Sequence, residues 1–351
     1  MPTRRSNSPA TLATVADALG VSRMTVSNAY NRPDQLSPEL RERVLAAARD
    51  LGYSGPDPVA RTLSRGETGA VGLILDQPLS AAFSDEATVR FLQGVGAGCE
   101  EREVGLSLVP RIAGRDAALV HTALVDGFIL YCAPEADARL AAVRERRLPH
   151  VLVDFAAEAG TSAVNVDDRG GARAVAEHLI GLGHRRFGIV MPFDKPGETA
   201  AEAQARATWH MHAERLAGWR EQLVAAGVEW GAVPVATAAG GSPETGSRAA
   251  AQLLDRPDRP TAILALYDHL ALGVLDAAAQ RGIAVPDELS IAGFDDAGEA
   301  ALATPPLTTV AQPHERKGAE AVRLLLDGGE PGSVVLDTRL VVRSSTAPAP
   351  R

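Results

Sequence analysis

Arg23, Met24, Ser27 and Asn28 fall within one six-residue stretch. They bring together a guanidinium fork, an apolar tip, a hydroxyl and an amide, a set able to meet the donor, acceptor and methyl pattern of a DNA major groove. To do so they must share the outer face of one short helix. The flanking residues supply it. Leu12, Val15, Ala16 and Leu19 recur at helical spacing, with Thr11 as N-cap and Gly20 as a left-handed stop. Ser22 then caps a second helix from Arg23 to about Tyr30. Ser37 caps a third, with Pro38 in its first position, a stripe of Leu40, Val44, Leu45, Ala48 and Leu51, and Gly52 at its end. Ala16, Gly20 and Val26 supply a close approach, a turn and an apolar seat at the spacing of a helix-turn-helix.

Other groupings invite chemistry and fall short of it. Gly94, Gly96 and Gly98 suggest a dinucleotide fingerprint, but Cys99 stands where its last glycine is needed and no strand leads directly into the segment. His210-Met-His212 offers two metal ligands at alternate positions, which fits a solvated patch better. The Asp167-Asp168 and Asp295-Asp296 pairs could serve acid/base work, yet no nucleophile or perturbing partner can be assigned to either. Cys99 and Cys132 are too few for a disulfide framework or a zinc site. No catalytic set, cofactor or metal is expected.

The chain has 351 residues, enough for two or three compact units, and its 46% hydrophobic and 23% charged composition is that of a folded protein. Residues 1–65 hold nine Arg, no Lys and six acidic groups, a net of +3, while the remainder carries −12. A basic head on an acidic body suits a polyanionic partner for the head alone. The longest apolar run, Thr261 to Ala279, is broken by Asp268, His269 and Asp276, short of the ~18–20 residues that span a bilayer. The polar start, Met1-Pro-Thr-Arg-Arg-Ser, has no apolar segment behind it of the kind that directs export, so a cytoplasmic protein is expected. In the body, Ala70–Leu75, Gly127–Leu130, His150–Val153, Phe187–Met191, Ala262–Leu266 and Ser290–Phe294 read as buried parallel strands. Helical stretches lie between them, clearest at Arg169–Leu182, Glu214–Ala226 and Leu270–Arg281. The expected fold is an all-α head followed by an α/β body of two doubly wound parallel-sheet subdomains, with ligand in the cleft facing the strand C-termini.

The segment Thr11-Leu-Ala-Thr-Val-Ala-Asp-Ala-Leu-Gly-Val-Ser-Arg-Met-Thr-Val-Ser-Asn-Ala-Tyr-Asn31 resembles the N-terminal signature of the LacI/GalR family of bacterial transcription regulators. The likeness continues through Leu36–Val44, Leu51-Gly-Tyr53 and Pro56–Leu63, the last similar to the family's hinge helix. Val164–Gly171, His178–His184, Glu214–Trp219, Pro260–Gly273, Val285–Asp296 and Pro306–Gln312 extend it, in order, through the body. It implies a helix-turn-helix domain over 1–55, a hinge over 56–67, an effector-binding and dimerisation domain over 68–345 resembling periplasmic sugar-binding proteins, and a disordered tail over 346–351. The chain would cross between subdomains near 167 and 311. By resemblance Arg23, Met24 and Asn28 read base edges, Thr11, Ser22, Ser27 and Asn31 meet phosphates, Thr25 belongs to the same surface, and Leu63 wedges into the minor groove. Many members have Arg where this chain has Asn28, and Asn pairs more often with adenine. The effector set carried over is Asp76, Asp154, Arg215, Tyr267, Asp295 and Gln312, with His314 beside it, polar groups suited to a sugar. Gly240-Gly241 stands where many members place an aromatic stacker. The implied partners are a near-palindromic operator, a carbohydrate effector and a second copy of the chain, and the implied action is repression. A periplasmic sugar-binding protein would lack residues 11–63, and an enzyme on this fold would need a catalytic set that is missing.

Overall fold

The computed structural model describes residues 10–55, 66–112, 114–134, 137–192, 198–205 and 207–351. The expected hinge helix, Leu63 included, lies outside the described residues up to position 65. The chain separates into two compact units, Met1–Thr68 and Gly69–Arg351.

In the first unit, α1 (Leu12–Leu19), α2 (Arg23–Asn31) and α3 (Pro38–Asp50) begin where their caps dictate. Each cap hydroxyl accepts from an amide the helix leaves unpaired: Thr11 from Thr14 N, Ser22 from Thr25 N, and Ser37 from Leu40 N. Such a cap contributes about 1 kcal/mol. Gly20 ends α1 at φ 66°, a conformation that costs glycine little. Val15, Ala16, Val26, Ala29, Val44 and Ala48 close a small core with Tyr53, on which Tyr30 packs edge-on at 5.9 Å.

The second unit is built on two sheets. One contains β1 (Ala70–Leu75), β2 (Gly105–Val109), β3 (Gly127–Tyr131), β4 (His150–Val153), β5 (Ser162–Val166) and β12 (Ser333–Leu336). Its order is β12-β5-β4-β3-β1-β2, parallel throughout. The other contains β6 (Phe187–Pro192), β7 (Glu198–Thr199), β8 (Pro234–Ala238), β9 (Ala262–Ala265) and β10 (Ser290–Ala292), in the order β10-β9-β6-β8-β7. Only β7 runs antiparallel there. β11 (Thr309–Ala311) and β13 (Arg339–Val341) form an antiparallel ribbon. Burial follows the two-residue period of a strand. Val71, Leu73 and Leu75 face the helices Glu86–Glu101 and His314–Leu326, while Ile74 turns to the other face with Phe128 and Leu130.

Those two helices touch through glycine. A Cβ on Gly94 would stand 1.8 Å from the Glu315 carbonyl oxygen, and one on Gly318 would stand 2.3 Å from that of Phe91. Gly94 and Gly98 are thus packing residues in mid-helix, Gly98 against Val322, and Gly96 faces open space. The chain passes between the sheets three times: at Asp167 after β5, at Gln312-Pro313 after β11, and at Asp337-Thr338 after β12. The second passage places the helix His314–Leu326 and β12 on the first sheet, and the third, which the sequence did not suggest, brings the chain back to pair β13 with β11.

The expectation of a disordered tail is corrected. Ser345 is fully buried, donates to Ile291 O at 2.6 Å and accepts from Thr308 N at 2.8 Å. Beyond it, Thr346 meets His178 at 2.9 Å, Ala347 O meets His184 at 3.0 Å, and Ala349 N donates to Leu182 O at 2.8 Å. The Ser-Thr-Ala-Pro composition suggested no structure of its own. Its order comes from covering β10, the edge strand of the second sheet, whose Ile291 N donates to Ser345 O at 2.9 Å. Among the described residues no helix is long and apolar enough to cross a membrane.

Candidate functional site

Within the first unit, α2 turns Val26 and Ala29 into the core and leaves two rows outside, Arg23-Ser27-Asn31 and Met24-Asn28, each at the four-residue helical spacing. Arg23 is exposed and Met24 is 68% exposed, which for a large apolar side chain marks a contact surface. Asn31 Nδ2 donates to Ser27 Oγ at 3.2 Å, and Ser22 and Thr25 hydroxyls lie 2.9 Å apart at the cap. Asn28 Nδ2 donates to Gln35 Oε1 at 3.2 Å, which adds Gln35 to this surface. Thr11 is exposed at the cap of α1.

In the second unit, polar side chains converge from the carboxyl ends of both sheets. Lys317, 1% exposed on the helix His314–Leu326, donates to Asp154 Oδ2 at 2.7 Å and to Gln312 Oε1 at 2.9 Å. Gln312 Nε2 donates to Asp295 Oδ1 at 2.6 Å. Arg215 is fully buried on the helix His210–Ala225. It donates through Nε to Asp168 at 2.8 Å, through one terminal nitrogen to Leu266 O at 2.6 Å, and through the other to Asp295 at 3.4 Å. Its guanidinium lies 3.6 Å over the Phe294 ring. One continuous relay results, from Asp154 on the first sheet through the crossing residue Gln312 to Asp295, Arg215 and Asp168 on the second.

Four residues here hold left-handed backbone without being glycine: Cys132 after β3 (φ 54°), Asp154 after β4 (φ 64°), and the neighbours Asp295 and Asp296 beyond β10 (φ 118° and 56°). Each costs about 1–3 kcal/mol, and such strain clusters where a ligand is held. Cys132 Sγ meets Met211 Sδ at 3.2 Å across the meeting point of the subdomains, and Gly298 N donates to Glu86 at 2.6 Å nearby. Aromatic rings line one side. Trp209 stacks on His212 at 5.7 Å, and His212 bonds to the Tyr267 hydroxyl.

Burial dominates the electrostatics. It pushes the Asp295 carboxyl up to about 6 despite the pull of Arg215 and the Gln312 hydrogen bond. Asp168 is raised for the same reason, against Arg215. His212 is pushed down to about 3 by burial and by Arg215, and His314 to about 2 by burial, then Lys317 and Arg90. Both rings are therefore neutral at pH 7. Since the Asp295 carbonyl can only accept, His314 Nε2, 3.3 Å away, carries the proton, leaving Nδ1 as an acceptor.

Of the residues singled out in the sequence, Asp154, Arg215, Asp295 and Gln312 fall in one network, and Tyr267 borders it with its ring 5.6 Å from the Arg215 guanidinium. Asp76 is held elsewhere, by Arg111 at 3.1 Å and by Arg139 at 3.2 Å, and burial raises its carboxyl against both. Reading His210-Met-His212 as a solvated patch is corrected: the helix begins at His210, four residues earlier than expected, and turns Met211 and His212 inward. Among the described residues no cluster of three or more His, Cys, Asp or Glu is placed to hold a metal. Sequence reasoning missed Lys317, Asp168, His212 and Trp209. Lys317 had a signal: it is one of two lysines in a chain with 33 arginines.

Comparison with known proteins agrees with both units. The pattern of bacterial regulatory proteins of the lacI family matches residues 11–55, and a periplasmic binding protein-like domain matches residues 176–346. An HTH-type transcriptional regulator of Mycobacterium tuberculosis is 44% identical over 353 residues, 97% of this chain and 98% of that protein. The solved complex of the transcriptional regulator CelR with cellobiose is similar at a TM-score of 0.71 and 30% identity, covering 96% of this chain and 99% of that one. A lac repressor dimer bound to operator and the anti-inducer ONPF has a TM-score of 0.79 at 26% identity, covering 97% and 100%. This chain belongs to the lacI family of bacterial regulatory proteins and is a DNA-binding transcriptional regulator.

Proposed function

We propose that the protein is an operator-binding repressor whose DNA affinity is set by a neutral carbohydrate bound where the two sheets face each other. The observation that carries the effector reading is the buried relay from Asp154 to Asp168. Its alternating donors and acceptors suit a ring of hydroxyls, and its three carboxylates exceed its two cations. That excess of negative charge disfavours a phosphorylated or acidic sugar, whose own charge would be buried beside it. The run Trp209, His212 and Tyr267 offers an aromatic wall for the apolar face of a sugar ring, with Gly241 packed beside Tyr267. The likeness to the CelR–cellobiose complex supports the same class of ligand.

On the DNA side, Arg23, Met24 and Asn28 are the base readers in this proposal, and Thr11, Ser22, Thr25, Ser27 and Asn31 the phosphate contacts, with Leu63 assigned to the minor groove by resemblance. Two copies reading two half-sites require a homodimer and a near-palindromic operator, as the lac repressor dimer on its operator supports. The effector acts only through its differential affinity for two arrangements of the body. No turnover is assigned to the cleft, and the protein works beside DNA in the cytoplasm.

The test is fluorescence anisotropy of the full chain on its own promoter, with D-glucose, D-ribose, cellobiose and D-glucose 6-phosphate added in turn at fixed salt. A neutral sugar should shift the operator affinity and be recovered unchanged. A response to the phosphate alone, or conversion of the sugar, would refute the proposal.

A further inference from the structure

Two acceptors at the first-sheet end of the relay are buried and unpartnered: Asp154 Oδ1 and His314 Nδ1. Asp154 is 4% exposed and His314 is 1% exposed. Both lie close to one ammonium group: Asp154 accepts from Lys317 through its other oxygen, and the Lys317 charge acts on His314, one turn earlier on the same helix. Buried polar atoms are nearly always hydrogen-bonded, so two unmet acceptors beside one cation call for a use. A packing role is a poor account of them, since an apolar residue would fill the same space without the desolvation.

We infer that His314 is a specificity-determining residue of the effector site: its Nδ1, together with Asp154 Oδ1, accepts hydrogen bonds from two hydroxyl groups of the ligand. The inference rests on the carbohydrate reading above and extends it to a particular demand. The ligand must present two donors there, so a sugar lacking either hydroxyl, or carrying it as a methyl ether, is rejected. The Asp295 carbonyl fixes the ring by accepting the Nε2–H hydrogen bond, and Lys317 on the same helix, with Arg90 and Arg215 from the helices packed nearby, opposes a second proton on the ring. His314 therefore offers an acceptor, and only an acceptor, to whatever binds.

One arm of the test needs no sugar. In the full chain labelled with 15N-histidine, His314 should show the Nε2-protonated neutral tautomer from pH 8 down to pH 4. A proton on Nδ1 at pH 7 would overturn the inference. The second arm is calorimetry with D-glucose, D-ribose and cellobiose on the wild type and on two variants. His314→Leu should lose at least tenfold in affinity while its melting temperature stays within a few degrees of the wild type. His314→Asn, which keeps an oxygen acceptor near the Nδ1 position, should recover to within threefold. A His314→Leu protein that binds as tightly as the wild type refutes the role of His314 alone. A wild type that binds none of the three sugars refutes the carbohydrate reading instead, and the tautomer then decides the case of His314 by itself.

Discussion

Replacing Asp295 by asparagine should make the protein more stable at neutral pH, even though it removes an ion-pair partner of Arg215. Asp295 ionises at about 6 in the fold against an ordinary 3.8, and burial is the cause. Each unit of that difference corresponds to about 1.4 kcal/mol, so the ionised carboxylate costs the folded state about 3 kcal/mol above pH 6. Between about pH 6 and pH 4 the folded carboxyl holds a proton that the unfolded chain has released, so wild-type stability gains as pH falls through that window. Below it, Asp and Asn are equivalent. Asparagine keeps an oxygen to accept from Gln312 and Arg215, and Asp168 still pairs with the guanidinium at 2.8 Å. Thermal unfolding followed by circular dichroism at pH 8, 7, 6, 5 and 4 should show Asp295→Asn ahead by several degrees at the alkaline end, with the advantage vanishing near pH 4. An asparagine variant that melts below the wild type at pH 7, with the gap widening as pH rises, would mean that the attraction of Arg215 outweighs desolvation. On the carbohydrate proposal, effector binding should weaken in the same variant, since asparagine removes a carboxylate that would accept from the ligand.

Gly94→Ala should destabilise the body by about 3 kcal/mol or more in denaturant titration, since its Cβ would lie 1.8 Å from the Glu315 carbonyl oxygen, whereas Gly96→Ala two residues away should be neutral or slightly stabilising. Ser345→Ala strips the buried Thr308 amide and Ile291 carbonyl of a partner and should cost about 1–3 kcal/mol, and a chain ending at Arg343 should lose more; an unchanged melting temperature would mean the tail contributes nothing. Arg215→Ala should unfold the body rather than merely blind it, because Asp168 and Asp295 are left buried without their guanidinium at about 3–5 kcal/mol; a stable variant deaf to every sugar would show the ion pairs to be dispensable.

The head was readable almost to the residue because its information is local. Thr11, Ser22 and Ser37 accept from amides three positions on, and Gly20 and Gly52 carry the positive φ that ends a helix. The central strands were readable for a related reason: β1, β3, β4, β6 and β9 are buried on both faces and must be continuously apolar. β2 and β12 lie at the two edges of their sheet and mix exposed with buried positions, so no run announces them. β5 is interrupted by Asn165, whose side chain ties back to Phe155 in both directions. The tail escaped because its order is lent by another strand's edge.

The relay is a different case. Asp154 and Lys317 stand 163 positions apart, Arg215 and Asp295 80, and Arg215 and Asp168 47, so no spacing rule joins them. Residue type alone could raise only single names. What the fold adds is the path: Asp154 belongs to the first sheet, Gln312 to a crossing segment, and Arg215 and Asp295 to the second sheet. Gln312 donates to Asp295 at 2.6 Å and accepts from Lys317 at 2.9 Å, so a ligand hydroxyl competing for either bond pulls on a strand that belongs to neither sheet alone. Buried donors and acceptors must re-pair or stay desolvated, so a ligand that breaks either bond has to supply a replacement partner. On the carbohydrate proposal, a ligand that re-pairs these groups better in one arrangement of the body than in another shifts the balance between the two, which is how binding between the sheets would reach the DNA-binding unit.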